Sequence, residues 1–287
     1  MMEPKVNYKF KKNESFYIRD GWFEKALCTI KENKVPNVFS KNLGSQLLGI
    51  GASMAKGLKF WLQAARIIEI SSTKTELTQF GKLIARYDSY FEDNFTWFLI
   101  HYFLCTDKEY NPVFYSFFNS NIKSIRRNEL LNCLLNDFSD SAIPVRSDYV
   151  EDDIGVFLKS YLGDGFINNP EDNYICPLSS LKLIKKKDDL IEKQKPVYSK
   201  LSYLVVYFAL GQLFNNKSFN IEDSFEMDGS PFKIFNLDKN NYLQYLEEMQ
   251  RNGLITINKT AGLNTVYFER EASLSNVFKI YFEGGEN

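Results

Sequence analysis

Asp88, Glu92 and Asp93 fall within one turn-and-a-half of chain and are the tight acidic set nearest the basic N-terminal part. Carboxylates so spaced can share a divalent cation, Mg2+ or Mn2+, and a cation held this way can assist phosphodiester cleavage. The competing reading is structural: Asp93 stands just before Asn94, where its side-chain oxygen would cap the first amides of a helix. Glu14, Arg19 and Lys25 surround Trp22 with mixed charge, a pattern that ordinary ion pairing explains equally well. The single histidine, His101, lies inside the apolar run Phe95–Leu104 and reads as a hydrogen-bonded core residue rather than a triad member. The sequence contains no phosphate-binding GxxxxGK[ST] loop, no GxGxxG after a strand and no nucleophile elbow. Cys28, Cys105, Cys133 and Cys176 form no CxxC pair, so the expectation is free thiols, no structural zinc and a reducing cytoplasmic setting.

A second class of candidates is cationic. Ser53, Lys56 and Lys59 lie on a segment with helical periodicity, with Leu58, Trp61 and Leu62 expected to face the core. Hydroxyl and ammonium groups near the start of such a helix suit phosphate and groove contacts. With Arg19, Lys25 and Lys74 they make up the expected DNA-contacting set.

The elements that would position these residues follow in order. Gly21–Glu32 predicts a helix carrying Trp22, Ala26, Thr29 and Ile30 on one face, stopped by Pro36. Ser40 predicts the cap of a short helix over Lys41–Leu48. Gly49 to Ala52 reads as a turn, with Ser53 as the cap of the next helix. Ile68–Ile70 and Thr75–Leu77 alternate like two short strands, and a further helix starts near Thr78. Helix, helix, turn, helix, hairpin is the order of a winged helix-turn-helix. Contact with nucleic acid and contact with protein alone both remain open for such a unit.

The tail repeats the order. Ser199–Phe214 is strongly apolar, and Asp238 can cap a helix over Lys239–Arg251 whose stripe is Tyr242, Leu243, Tyr245, Leu246 and Met249. Gly253 ends that helix, and Leu254–Ile257 with Thr265–Phe268 make a hairpin. This second unit favours packing or homodimerisation over DNA contact. Between the two units, Phe95–Leu104 reads as a buried helix, and Phe114, Tyr115, Phe117 and Phe118 form an aromatic cluster after Pro112. Glu151, Asp152 and Asp153 are expected to open a helix over Ile154–Tyr161. Asn168–Asn173 reads as a surface loop, and Lys185–Lys195 as a solvated helix or linker. The expected fold is therefore mainly α with short β-hairpins (α+β). Two winged-helix-like units, 1–87 and 196–287, flank a helical acidic middle, 88–195.

The 287 residues carry a net charge of −1, which conceals a strong asymmetry. Through Tyr87 there are 12 Lys and 3 Arg against 7 acids, a balance of +8. From Asp88 through Ser180 the balance is −9, and the remainder is neutral. A basic head is the electrostatic footprint of a nucleic-acid binder. The polar N-terminus has no secretory h-region, and the longest apolar stretch is too short to span a bilayer, so no membrane role is expected.

The motifs FKKNESFYIRDGWFEKA, LGIGASMAKGLKFWLQA and LTQFGKLIARYDSYFEDNFTWFLIHYFL resemble the bacterial family of domain of unknown function 4007. YICPLSSLKLI and LITINKTAGLNTVYF extend the resemblance over most of the chain. Glu14, Arg19, Gly21, Trp22, Lys25, Gly49, Gly51, Met54, Trp61, Gly81, Asp88, Tyr90, Glu92, Asp93, Trp97 and His101 match that pattern. Asn13 departs from it, standing where the family usually has His, and Ala52-Ser53 stand where Lys-Asn is usual. The resemblance implies a partner in bacterial DNA phosphorothioation and defence clusters, one group being similar to the nicking component of single-strand systems. Three functions follow as expectations. The first is a DNA-binding component that engages duplex DNA through the first unit and other proteins of the cluster through the rest. The second is a Mg2+- or Mn2+-dependent nickase, and the third a non-catalytic scaffold.

Overall fold

The computed structural model describes residues 5–32, 36–40, 43–163, 175–260 and 263–284. The basic head begins with α1 (Trp22–Glu32), α2 (Leu43–Leu48) and α3 (Ala52–Ala64), followed by the antiparallel hairpin β1 (Ile68–Ile70) and β2 (Thr75–Leu77) and by α4 (Gln79–Tyr87). Thr78 caps α4, its hydroxyl accepting the Gly81 amide at 3.0 Å. Gly81 is required by proximity: a Cβ there would lie 2.2 Å from the Ile67 carbonyl oxygen, so only glycine lets α4 pack against the hairpin.

The middle contains α5 (Asn94–Thr106), α6 (Pro112–Asn119), β3 (Ser124–Arg126), α7 (Arg127–Asp137) and α8 (Ser147–Leu162). A 3-10 turn at Pro177–Leu181 leads to β4 (Ile184–Lys187) and β5 (Leu190–Lys193), which join β3 in an antiparallel sheet of order β3-β5-β4. The tail comprises α9 (Tyr203–Phe214), β6 (Phe219–Asn220), α10 (Asp223–Glu226), α11 (Pro231–Ile234), α12 (Lys239–Arg251), β7 (Ile255–Thr260), β8 (Leu263–Phe268) and α13 (Leu274–Glu283). Its antiparallel sheet has the order β6-β8-β7.

α5 is the hub. Every residue from Phe95 to Cys105 is buried, as expected for a helix apolar all round. Phe95 stacks on Tyr281 of α13 at 4.2 Å between ring centroids, Phe103 meets Phe208 of α9 edge-on, and His101 meets Phe118 of α6 at 4.6 Å. The hydrophobic cluster accordingly runs from Tyr8 to Phe278 and crosses positions 87/88 and 195/196. Among the described residues no helix is long and apolar enough to cross a membrane.

The mixed helical and antiparallel-strand composition matches the α+β expectation. Five local readings are corrected. Gly51, not Ser53, is the N-cap residue of α3, which places Ser53 in the helix's first turn. α8 begins at Ser147, so Glu151, Asp152 and Asp153 lie a turn inside it and Asp153 is buried. The lysine-rich stretch within 185–195 is a β-hairpin, turned at Asp188 with φ 54°. The apolar tail helix starts at Tyr203 rather than Ser199, with Ser202 as its cap. Leu243 is exposed and leaves the α12 stripe to Tyr242, Tyr245, Leu246 and Met249. The expected loop at Asn168–Asn173, the start of the second helix at Lys41–Asn42, and Ala261-Gly262 of the tail hairpin lie outside the described residues.

Candidate nucleic-acid interface

The cationic candidates of α3 open onto a groove of about 620 Å³. Lys56 and Lys59 are three residues apart and so share a face of α3, while Phe60 beside them turns inward. The opposite walls are the N-terminal segment, with Lys9, Phe10 and Lys12, and the segment preceding and opening α8, with Ile143, Arg146 and Tyr149. None of the described residues lining the groove is acidic. Aromatic faces alternate with the cations. The Lys9 ammonium sits 3.2 Å from the Tyr110 ring centroid, Tyr110 stacks on Phe60, and the Arg146 guanidinium lies 4.3 Å from the Tyr149 ring.

Two devices hold the N-terminal segment beside α3. A Cβ at Gly57 would meet the Asn13 carbonyl oxygen at 2.7 Å, so this glycine permits the segment's close approach. Asp153 of α8 then grips it: the Lys11 amide and the Asn13 side-chain amide donate to its two carboxylate oxygens at 2.9 and 2.8 Å. Burial pushes the Asp153 carboxyl up to about 6, against those donors, which favour the charged form. Lys11 pairs with Asp152 at 2.6 Å, so the acidic helix neutralises one lysine of the segment and leaves Lys9 and Lys12 facing the groove. At the segment's other end, the Tyr8 hydroxyl donates to Asp140 at 2.6 Å and the Lys9 amide to the Glu109 carbonyl.

The other expected DNA contacts lie elsewhere. Ser53 is exposed in the first turn of α3, and Lys74 sits on the β1–β2 turn, paired with Glu76 at 3.1 Å. Arg19 lies against the rings of Phe16 and Trp22, and the Lys25 ammonium lies beside Gly49. Reading the sequence misses Lys9, Lys12, Tyr110, Arg146 and Tyr149. The available signal was the basic and aromatic character of the N-terminal segment; Arg146 and Tyr149 reach the groove only through tertiary packing.

The carboxylate set is committed to backbone donors. Asp88 is buried, and its two oxygens accept the amides of Glu92 and Asp93 at 2.9 and 3.3 Å. Burial raises its carboxyl above the usual carboxylate range, although the amides pull the other way. Asp93 caps α5, one oxygen accepting the Phe95 amide at 2.8 Å and the Tyr281 hydroxyl at 2.9 Å. Glu92 is exposed. Among the described residues no three His, Cys, Asp or Glu side chains gather as a cation-holding group.

His101 is fully buried, with Nε2 3.0 Å from the Ile234 carbonyl oxygen and Nδ1 2.6 Å from the Tyr161 hydroxyl. A carbonyl only accepts, so Nε2 carries the proton and Nδ1 accepts from Tyr161. Burial pushes its pKa down to about 4, which keeps the ring neutral.

The family model described as Protein of unknown function (DUF4007) matches residues 10–282. The chain belongs to this family. Two solved structures share the fold. A magnesium ion-bound crystal structure of SspB superposes with a TM-score of 0.85 at 18% identity, covering 97% of this chain and 89% of that one. A second SspB crystal structure gives 0.84 at 17% identity, covering 98% and 89%. No curated protein matches the chain.

Several of the residues on which the expected resemblance rested have architectural roles here. The Trp61 and Trp97 indoles donate to the Phe16 and Phe91 carbonyls, both at 2.8 Å. Gly21 and Gly49 adopt positive φ, Gly81 admits the Ile67 carbonyl, and Asp88 and Asp93 organise the start of α5. Asn13, the expected departure from the family, is the partner of Asp153.

Proposed function

We propose that this protein is a DNA-binding component of a bacterial DNA phosphorothioation or defence system. It engages duplex DNA through α3 of the winged-helix-like head and through the groove beside it, and the acidic, aromatic remainder meets other proteins of the system. The observation that carries the reading is a groove lined by five cations and by aromatic rings, with no acid among its described lining residues, at the place where the sequence puts the recognition helix. Such a surface attracts phosphates through counterion release and offers rings against which sugars and bases pack. The family membership and the shared SspB fold support the system assignment. The α12–β7–β8 part of the tail serves packing, including a homodimer contact, in the same reading. The test is binding of a labelled duplex at low salt by wild type and by Lys56→Glu/Lys59→Glu. Loss of binding in the variant is expected; undiminished binding, or binding indifferent to salt, overturns it.

A second reading is supported by one relative's structure being magnesium ion-bound. In it the protein nicks DNA with Mg2+ or Mn2+ near Asp88, Glu92 or Asp93. Relaxation of supercoiled plasmid with either cation, compared with Asp88→Asn and Glu92→Ala, decides this site. Unchanged nicking in both variants removes it.

A further inference from the structure

A second basic pocket, of about 580 Å³, lies where β5 meets the segment from α11 to the start of α12. Five lysines line it, Lys123, Lys193, Lys195, Lys233 and Lys239, against one acid, Asp238. Two of these charges are already balanced: Lys195 pairs with Asp238 at 2.6 Å and Lys233 with Asp228 at 3.1 Å. Asp238 also caps α12, its other oxygen accepting the Asn241 amide at 2.8 Å, so both of its oxygens are engaged. Lys123, Lys193 and Lys239 remain without a carboxylate partner among the described residues.

Lys193 is the unusual member. Its residue is only 8% exposed, and its ammonium donates to the Ser120 carbonyl at 2.7 Å and, more weakly, to the Ser120 hydroxyl and Phe118 carbonyl at 3.4 Å. These acceptors lie at the C-terminal end of α6, where a cation is favoured, but they supply no full negative charge. Burial, with the neighbouring Lys233 charge acting in the same direction, pushes the amine down to about 7. A buried ammonium that has neutral acceptors but no anionic partner remains costly and gains from an anion brought within reach. The rest of the wall is apolar, with Ile122, Phe232 and Leu237.

We propose that this pocket binds a phosphorylated small molecule, its phosphate group held between Lys193, Lys123 and Lys239 and its remainder resting on the apolar wall. The volume lies in the range of small-molecule sites. A tetrahedral oxyanion with several acceptor oxygens suits three lysines that line one pocket from β5, from the residue before β3 and from the first residue of α12. The site is independent of the α3 groove and of the proposed DNA binding.

The test is calorimetric titration of the full chain with inorganic pyrophosphate. Saturable binding is expected. Lys123→Ala/Lys239→Ala should weaken it about a hundredfold, roughly tenfold per lost charge-assisted contact, with the melting temperature unchanged. Lys193→Met, which keeps the buried aliphatic stem, should abolish it, and Lys56→Ala/Lys59→Ala should leave it intact. Absence of saturable binding overturns the proposal. So does binding that survives both pocket variants, or binding lost in the α3 variant, which would mark a non-specific basic surface.

Discussion

Removing Lys56 and Lys59 should change not only how tightly DNA binds but how steeply binding depends on salt. Of the five groove cations, Arg146 is held by the Asp148 carboxylate at 2.6 and 3.0 Å. Lys9, Lys12, Lys56 and Lys59 form no ion pair among the described residues and are available to phosphates. If these four neutralise about four phosphates of duplex DNA, the slope of log affinity against log salt is about −3.6. Raising salt from about 50 to about 200 mM then weakens wild-type binding about 150-fold. Lys56→Ala/Lys59→Ala leaves about two contacts, a slope of about −1.8 and a loss of about 12-fold over the same range. Fluorescence anisotropy of a short labelled duplex across a salt series measures both slopes. A double variant that binds more weakly with the wild-type slope would mean that these lysines act through folding rather than through phosphate contact, contrary to the groove model.

Three further outcomes concern stability. Burial pushes the Asp153 carboxyl up to about 6 from the ordinary 3.8, so the native state holds the extra proton between those values and stability falls as pH rises through them. Denaturant titrations from pH 4 to 7 should show a contribution of about 3 kcal/mol in that direction which disappears in Asp153→Asn; a difference that grows with pH would contradict the assignment. His101 acts oppositely: its folded value of about 4 lies below the unfolded 6.5, so its contribution is complete above the unfolded value and is lost as pH falls toward 4. His101→Ala, which empties a packed site and strands the Tyr161 hydroxyl and Ile234 carbonyl, should cost about 3–5 kcal/mol by calorimetry without altering the salt slope of DNA binding. Gly81→Ala must displace the Ile67 carbonyl and should destabilise by about 2–4 kcal/mol, read as a lowered denaturation midpoint; a neutral effect would mean that α4 and the hairpin are not rigidly packed.

Local chemistry was legible at several helix starts, although not at Ser53, where Gly51 stands at the cap instead. Thr78, Asp93 and Asp238 cap the helices that follow them because each places a side-chain oxygen at the first free amides. The strands Ile68–Ile70 and Thr75–Leu77 alternate in the sequence and pair as expected. The hairpin of β4 and β5 escaped notice because lysines at 185–187 face solvent along an edge strand, and charge there resembles a linker. The early start of α8 was hidden because Asp153, which looks like a helix-opening acid, is drawn inward by Lys11 and Asn13 some 140 residues away in sequence. No local pattern encodes a contact of that span.

The α+β element order, the family, a buried hydrogen-bonded histidine and a recognition-helix candidate carrying Lys56 and Lys59 are all readable along the chain. Which charges act together, and that His101 stays neutral, follow from packing alone. Sums along the chain assigned Arg146 and Tyr149 to an acidic middle, yet α8 spends Asp152 and Asp153 on holding the N-terminal segment, while Tyr149 in its first turn and Arg146 just before it line the groove. The buried Lys193 likewise stands in a stretch that reads as solvated charge. Electrostatic interaction depends on distance and burial, and both are set by the packing of segments remote in sequence.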